Sequence, residues 1–325
     1  MTSAAPARPT TAAADHLAVV VRQLRWEADG VLSVEFCAAD GGDLPPWRPG
    51  AHIELALPTG ITRQYSLCGS PEDRSRYRIG VLRERVGRGG SEYVHMFLRP
   101  GQPLRLRGPR DNFGFDRARS YLFIAGGVGI TPILPMVHQA EAWGVPWQLV
   151  YGGRRAASMA FRDELRPYGD RVQLYPEDAV GRIPLARWLD REQEGTDIYA
   201  CGPEPLLTAV ESAGAHWRPG ALHLERFKAR KKPAQQNSPV EVVCAQSDRT
   251  VTVPSDTSVL SALEGAGIPV AGSCREGVCG TCETRVLDGE PDHRDDILSE
   301  QDRATGDRMY VCVSRARGPR LVLDV

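Results

Sequence analysis

Hydrophobic and polar positions change rhythm three times along the 325 residues. From His16 to about Ala118, short alternating runs recur at Ala18–Val21, Val31–Phe36, His52–Leu57, Gln64–Leu67, Tyr77–Leu82 and Pro103–Leu106, with Gly and Pro between them. Short strands with regular turn signals predict an antiparallel barrel. From Ser120 to Phe227, apolar strands (Tyr121–Ala125, Gln148–Tyr151, Val172–Tyr175, Ile198–Ala200, Ala221–Leu224) alternate with helical stretches from Pro132, near Met159–Leu165 and from Glu204. That alternation predicts a parallel, doubly wound α/β sheet. Lys228–Ser238 reads KARKKPAQQNS, nearly without apolar content, and is expected to be a flexible linker. A compact unit follows, with strands at Val240–Cys244 and Thr250–Val253 and a helix after Ser255 to Thr257. The expected organisation is a disordered tail over residues 1–15, a barrel over 16–118, an α/β domain over 119–227, a linker over 228–238 and a small α+β domain over 239–325.

Composition adds exclusions. No apolar run is long enough to span a bilayer, and the Ala/Pro/Thr-rich start lacks the apolar core of an export signal. We expect a cytoplasmic protein with reduced thiols. Residues from Ser238 onward carry 15 acids against nine arginines. This acidic unit is read either as a docking surface for a basic protein partner or as a solvated face. No large basic patch stands out, which argues against nucleic acid as a partner.

Four of the eight cysteines crowd the C-terminal unit as Cys274-x4-Cys279-x2-Cys282, with 29 residues before Cys312. Three thiolates on one loop and a fourth from a distant segment suit a 2Fe–2S cluster. Zinc sites more often pair two CxxC units. Small residues between the ligands (Ala271, Gly272, Ser273, Gly277, Gly280, Thr281) let backbone N–H groups approach sulfur. The stretches AGSCREGVCGTC and YVCVSRA resemble a plant-type ferredoxin domain, which implies a β-grasp fold.

Arg63-Gln64-Tyr65-Ser66-Leu67 opens a predicted barrel strand. Its Arg suits a phosphate, its Tyr ring a flavin face and its Ser hydroxyl the flavin N5. Gly80 and Val81 join the candidate flavin residues. Gly87-Arg88-Gly89-Gly90-Ser91 precedes a helical stretch, and Gly89, Gly90 and Ser91 are candidate phosphate donors. RQYSL resembles the flavin motif of the ferredoxin–NADP reductase superfamily. The order flavin, nicotinamide, ferredoxin resembles the phthalate dioxygenase reductase family, vanillate demethylase reductases included. The resemblance implies FMN ahead of FAD.

Gly126-Gly127-Val128-Gly129-Ile130-Thr131-Pro132 follows an apolar strand. Gly126, Gly127 and Gly129 permit a tight turn against a pyrophosphate, Thr131 is placed to cap the next helix, and Pro132 suits its start. The resemblance puts Cys201-Gly202-Pro203 beside the nicotinamide and Phe227 near the flavin, where an anchoring core role is the alternative. Arg154 and Arg155 stand without an acid at a strand end, which by itself favours NADPH. The family resemblance and Ser158, a candidate ribose contact, favour NADH.

Hydride arrives as two electrons and the cluster accepts one at a time, so a flavin must stand between them. The expected function is an NADH-dependent reductase component of an oxygenase system, with Ser66, Cys201 and Phe227 at the reacting centre. Its expected partner is a Rieske-type aromatic hydroxylase or demethylase oxygenase, with a cytochrome P450 as the alternative, docking near the ferredoxin domain of a monomer. A non-catalytic redox sensor or scaffold is the competing class, and a stand-alone flavin reductase would need no cluster.

Overall fold

The computed structural model describes residues 16–84, 86–230, 232 and 235–325. The tail expected over residues 1–15 lies outside them.

The first domain is a six-stranded antiparallel sheet of β1 (Leu17–Ala28), β2 (Val31–Ala38), β3 (Ala51–Ala56), β4 (Thr62–Ser66), β5 (Tyr77–Leu82) and β6 (Pro103–Asp111), with α1 (Gly90–Met96) between the last two. The order β4-β3-β6-β1-β2-β5 curls until Leu67 bridges Ile79. Strand alternation fills the barrel: Tyr77, Ile79 and Val81 face the core. Arg78, pointing the other way, makes a bidentate ion pair with Glu164 at 2.7 and 2.9 Å. The first strand runs well past the predicted Val21. Its polar second half is held by the ladder to β2, with irregularities at Val21/Gln23 and Trp26/Ala28. Pairing there outweighs a weak apolar pattern.

The second domain holds β7 (Ser120–Gly126), α2 (Ile130–Ala142), β8 (Trp147–Gly153), α3 (Arg162–Leu165), β9 (Val172–Pro176), α4 (Glu177–Val180), α5 (Leu185–Leu189), β10 (Thr196–Cys201), α6 (Glu204–Ala213) and β11 (Leu222–Glu225). Its strands are parallel in the order β11-β10-β7-β8-β9, with separate apolar cores on the two faces. The chain order reverses between β7 and β10, so the loops after these strands open a crevice there. The helix expected near Met159–Leu165 shortens to α3, because Phe161 takes a left-handed φ of 60° and is buried.

The third domain is a mixed sheet, β13-β12-β18-β14-β16, built from β12 (Val240–Cys244), β13 (Arg249–Val253), β14 (Glu283–Asp288), β16 (Arg308–Tyr310) and β18 (Arg320–Leu323). The small pair β15 (Pro291–Asp292) and β17 (Arg315–Ala316) and helix α8 (Glu300–Thr305) flank it. Helix α7 (Val259–Gly265) begins at Ser258, whose hydroxyl accepts from Ser261 N–H at 3.1 Å, and buries Val259, Leu260 and Leu263 in the domain core. This is the β-grasp expected for the C-terminal unit.

The segment between the last two domains has no helix or strand among its described residues, yet three of its cations are engaged. Arg230 and Lys232 both reach Asp296 at 2.9 Å, whose side chain is only 1% exposed, and Lys228 pairs with Glu84 at 3.1 Å. Basic composition that reads as solvated linker is drawn onto a buried carboxylate that sequence distance conceals.

Candidate functional site

The loop from Ala271 to Cys282 joins α7 to β14 and brings Cys274, Cys279 and Cys282 to Cys312, which follows β16. The Cys274 sulfur meets the thiols of Cys279 and Cys312 and accepts from Glu276 N–H at 3.3 Å. These hydrogen bonds, with that from Val278 N–H, hold the Cys274 thiol far below its usual range. Cys282 is lowered in turn, first by Cys312. Gly277 and Gly280 have φ of 73° and 76°, and a Cβ on Gly277 would lie 2.7 Å from Val313. Bare glycines therefore let the loop fold tightly around its thiols. Four converging thiols with N–H groups turned toward sulfur fit a 2Fe–2S cluster.

The flavin candidates gather at the open edge of the barrel. Arg63 on β4 lies against the Gly-rich turn, where a Cβ on Gly90 would come 2.7 Å from its side chain. Its guanidinium donates to the carbonyls of Thr62 (2.7 Å) and Arg88 (3.2 Å). Gly89 takes a φ of 81°. Ser91 Oγ accepts from Glu84 N–H at 3.0 Å, so that hydroxyl orders the turn. A cavity of about 510 Å³ opens beside Arg63, Thr62, Arg88 and Arg107. Tyr65 is half-buried, and its packing pushes its phenol up to about 12. Gln64 points to the opposite face, where its amide donates to Ser273 Oγ at 2.5 Å. Gly80 adjoins the second domain: its bare face is filled by Thr131 and Phe161. Val81 lies in the barrel core.

At the seam between the first two domains, Ser66, Cys201 and Glu225 meet. Cys201 and Glu225 are register partners on β10 and β11, and the Ser66 hydroxyl stands beside the Glu225 carboxyl. Burial raises the Cys201 thiol well above its usual range. Burial, with the Asp111 charge adding, pushes Glu225 up to about 8, and its Oε2 is buried without a partner. That orphaned oxygen, the Arg63–Gly90 cradle and the Tyr65 ring fit a flavin lying along this edge. Glu225 escaped the sequence reading, since it sits in an ordinary Leu-His-Leu-Glu-Arg run; a charge closing the strand that precedes the basic segment was the available signal. Phe227, 41% exposed, is held between Arg226, paired with Glu204 and Glu211, and Lys228, paired with Glu84 beside the Gly-rich turn.

The glycines after β7 press against the loop after β10. A Cβ on Gly129 would fall 2.2 Å from Cys201 O, and one on Gly202 3.0 Å from Gly126 Cα. Gly127 has a φ of 55° and open space around it. Thr131 does not cap α2: the helix starts at Ile130, and the Thr131 hydroxyl donates to Val128 O at 2.9 Å. Pro132 is buried in the first turn, and Pro203 directly precedes α6. At the far end of the crevice Arg154 is exposed, while Arg155 faces Asp29 at 3.6 Å. The acid missing from the local sequence comes from the barrel's first hairpin. Ser158 donates to Arg155 O at 2.9 Å.

The cluster loop rests on the face of β3, β4 and β6 opposite the barrel core. His52 Nε2 lies 3.1 Å from Cys279 O, Arg110 donates to Thr281 Oγ1 at 3.1 Å, and Arg107 faces Glu54 at 3.6 Å. Burial, then the Arg110 charge, pushes His52 down to about 4, so its ring is neutral and Nε2 carries the hydrogen.

Comparison with known proteins agrees with this layout. The family described as 2Fe-2S iron-sulfur cluster binding domain matches residues 242–317, and the oxidoreductase NAD-binding domain family matches 123–212. The chain is 42% identical to phenoxybenzoate dioxygenase subunit beta of Ectopseudomonas oleovorans, over 94% of this chain and 96% of that one. The solved phthalate dioxygenase reductase, described as modular for electron transfer from pyridine nucleotides to [2Fe-2S], is 34% identical with a TM-score of 0.69, covering 95% of this chain and 98% of that one. An intact type IV self-sufficient cytochrome P450 monooxygenase is 40% identical with a TM-score of 0.91; the match covers 98% of this chain but 43% of that longer one.

Proposed function

This chain belongs to the phthalate dioxygenase reductase family, and on that premise we propose how its residues divide the work and which partner it serves. The protein is an oxidoreductase, the electron-transfer reductase component of an oxygenase system, working with NADH, FMN and a 2Fe–2S cluster. The observation that carries the assignment of roles is the meeting of Ser66, Cys201 and Glu225 at the domain seam, with the cluster loop on the same outer face of β3 and β4.

Bound flavin supplies the exchange between two-electron hydride and single electrons. Arg63, with Gly89 and Gly90, would hold its phosphate, and Tyr65 would pack on the ring. The crevice of Gly126, Gly127, Gly129, Gly202 and Pro203 would take the nucleotide, with Phe227 over the ring edge. Ser66 stands beside Glu225, and Glu225 retains a proton near neutral pH where the flavin edge would lie. Cys201, neutral and buried, keeps that position dry. Asp29 occupies Arg155, which supports NADH, since a paired guanidinium is less available to a 2′-phosphate. Cys274, Cys279, Cys282 and Cys312 would bind the cluster.

The partner proposed is a Rieske-type hydroxylase or demethylase oxygenase docking near the third domain of a monomeric, cytoplasmic reductase. No helix among the described residues is long and apolar enough to cross a membrane. A cytochrome P450 is the second reading, favoured by the self-sufficient P450 that matches nearly the whole chain. Purified protein should show flavin and 2Fe–2S absorption, release FMN on denaturation, and couple NADH oxidation to substrate oxidation with a Rieske oxygenase. Coupling to neither partner class would refute the oxygenase assignment.

A further inference from the structure

Strand β3 carries polar side chains where a free-standing barrel would meet water. Ile53 and Leu55 enter the core, while His52 and Glu54 face outward yet are only 6% and 5% exposed. The third domain covers them. The ladder places Arg110 opposite His52, and Gln64 opposite Glu54, so one polar face spans β6, β3 and β4. Against it the cluster loop makes a graded set of contacts: His52 to Cys279 O, Arg110 to Thr281 Oγ1, Thr281 Oγ1 to Glu54 Oε2 at 3.4 Å, and Gln64 to Ser273. Gly280 is needed there, since a Cβ would lie 2.8 Å from the Asn112 amide.

His52 differs from the rest in two ways. It grips the backbone of a ligand residue, so the anchor does not depend on a side-chain rotamer. It is also the rung partner of Ser66, the hydroxyl at the flavin seam. One ladder rung therefore joins the flavin edge to the cluster loop.

We propose that His52, supported by Arg110, is a positioning residue that holds the cluster-ligand loop in electron-transfer register with the flavin edge. The inference rests on the relay reading above. Electron transfer falls steeply with separation, so a loop released from this anchor is expected to pass electrons to the cluster more slowly.

The test is anaerobic stopped-flow of the full holoprotein with NADH, comparing His52→Leu, His52→Gln and Arg110→Met. Flavin reduction in the same trace is the internal reference. Cluster reduction relative to flavin reduction should slow about tenfold in His52→Leu and about threefold in Arg110→Met, and stay within about twofold of wild type in His52→Gln, whose amide restores a donor. Hydrogen exchange at the amides of residues 279–282 should rise in His52→Leu and not in His52→Gln. A paramagnetic resonance spectrum of the chemically reduced protein verifies that each variant holds its cluster; if His52→Leu does not, Arg110→Met carries the kinetic test. An unchanged ratio in the cluster-bearing leucine variant, or in Arg110→Met when that variant carries the test, overturns the proposal, as does a glutamine variant as slow as the leucine one. Loss of flavin reduction by NADH would instead strike the relay reading.

Discussion

Replacing Gly129 with Ala probes how two sequence-distant turns lock together beside the switch point of the parallel sheet. An added Cβ would fall 2.2 Å from Cys201 O, 2.5 Å from Cys201 C and 2.7 Å from Gly202 N. Ordinary contact begins near 3.4 Å, so the two turns must separate by about 1 Å. All three neighbours are backbone, and no rotamer change relieves the overlap. Overpacking typically costs about 1–3 kcal/mol, and a rigid neighbour puts this case near 3. That corresponds to a fall of about 10 °C in melting temperature. Because Cys201 moves with its turn, hydride transfer from NADH to flavin should drop about 100-fold. Gly127→Ala is the comparison for stability: its φ of 55° is strained for Ala but open space surrounds it, so about 1 kcal/mol is expected. Nucleotide-free protein is followed by thermal melting and urea titration, and hydride transfer by rapid mixing. A Gly129→Ala protein as stable as wild type, or one more stable than Gly127→Ala, would refute the argument that the turns are locked backbone to backbone.

Three further outcomes are expected. Cys312→Ser should abolish cluster retention, read as iron content, while NADH still reduces the flavin, because that thiol belongs to the cysteine cluster of the third domain and lines none of the glycine turns of the second. Glu225 titrates near 8 in the folded protein against an ordinary 4.5, so its neutral form contributes stability that is complete below about pH 4.5 and lost as pH rises through 8. In flavin-free protein, Glu225→Gln should therefore melt higher than wild type above pH 8 and no higher near pH 4.5; parallel pH curves would contradict this. Arg78→Met should destabilise by about 2 kcal/mol in urea titration, since it strands Glu164 at the barrel contact, with partial exposure of 15% and 25% softening the loss.

The sequence by itself determined what depends on short stretches of chain. Cysteine spacing named the cluster, because a ligand loop must be local to wrap two irons. Period-two and strand–helix textures separated the barrel, the parallel sheet and the C-terminal unit, and RQYSL and the glycine turns stood out as candidate cofactor contacts. What tertiary structure alone decided is where burial and charge come from distant partners. Glu225 is one carboxylate among many until Ser66 and Cys201 enclose it. His52 and Glu54 read as the wet face of a strand until the cluster loop covers them. Arg155 appears unpaired until Asp29 arrives from the first hairpin, and the basic linker appears loose until Asp296 receives Arg230 and Lys232. A residue's chemistry follows its local identity, but its protonation, pairing and reach follow its neighbours in space, and only the fold chooses those.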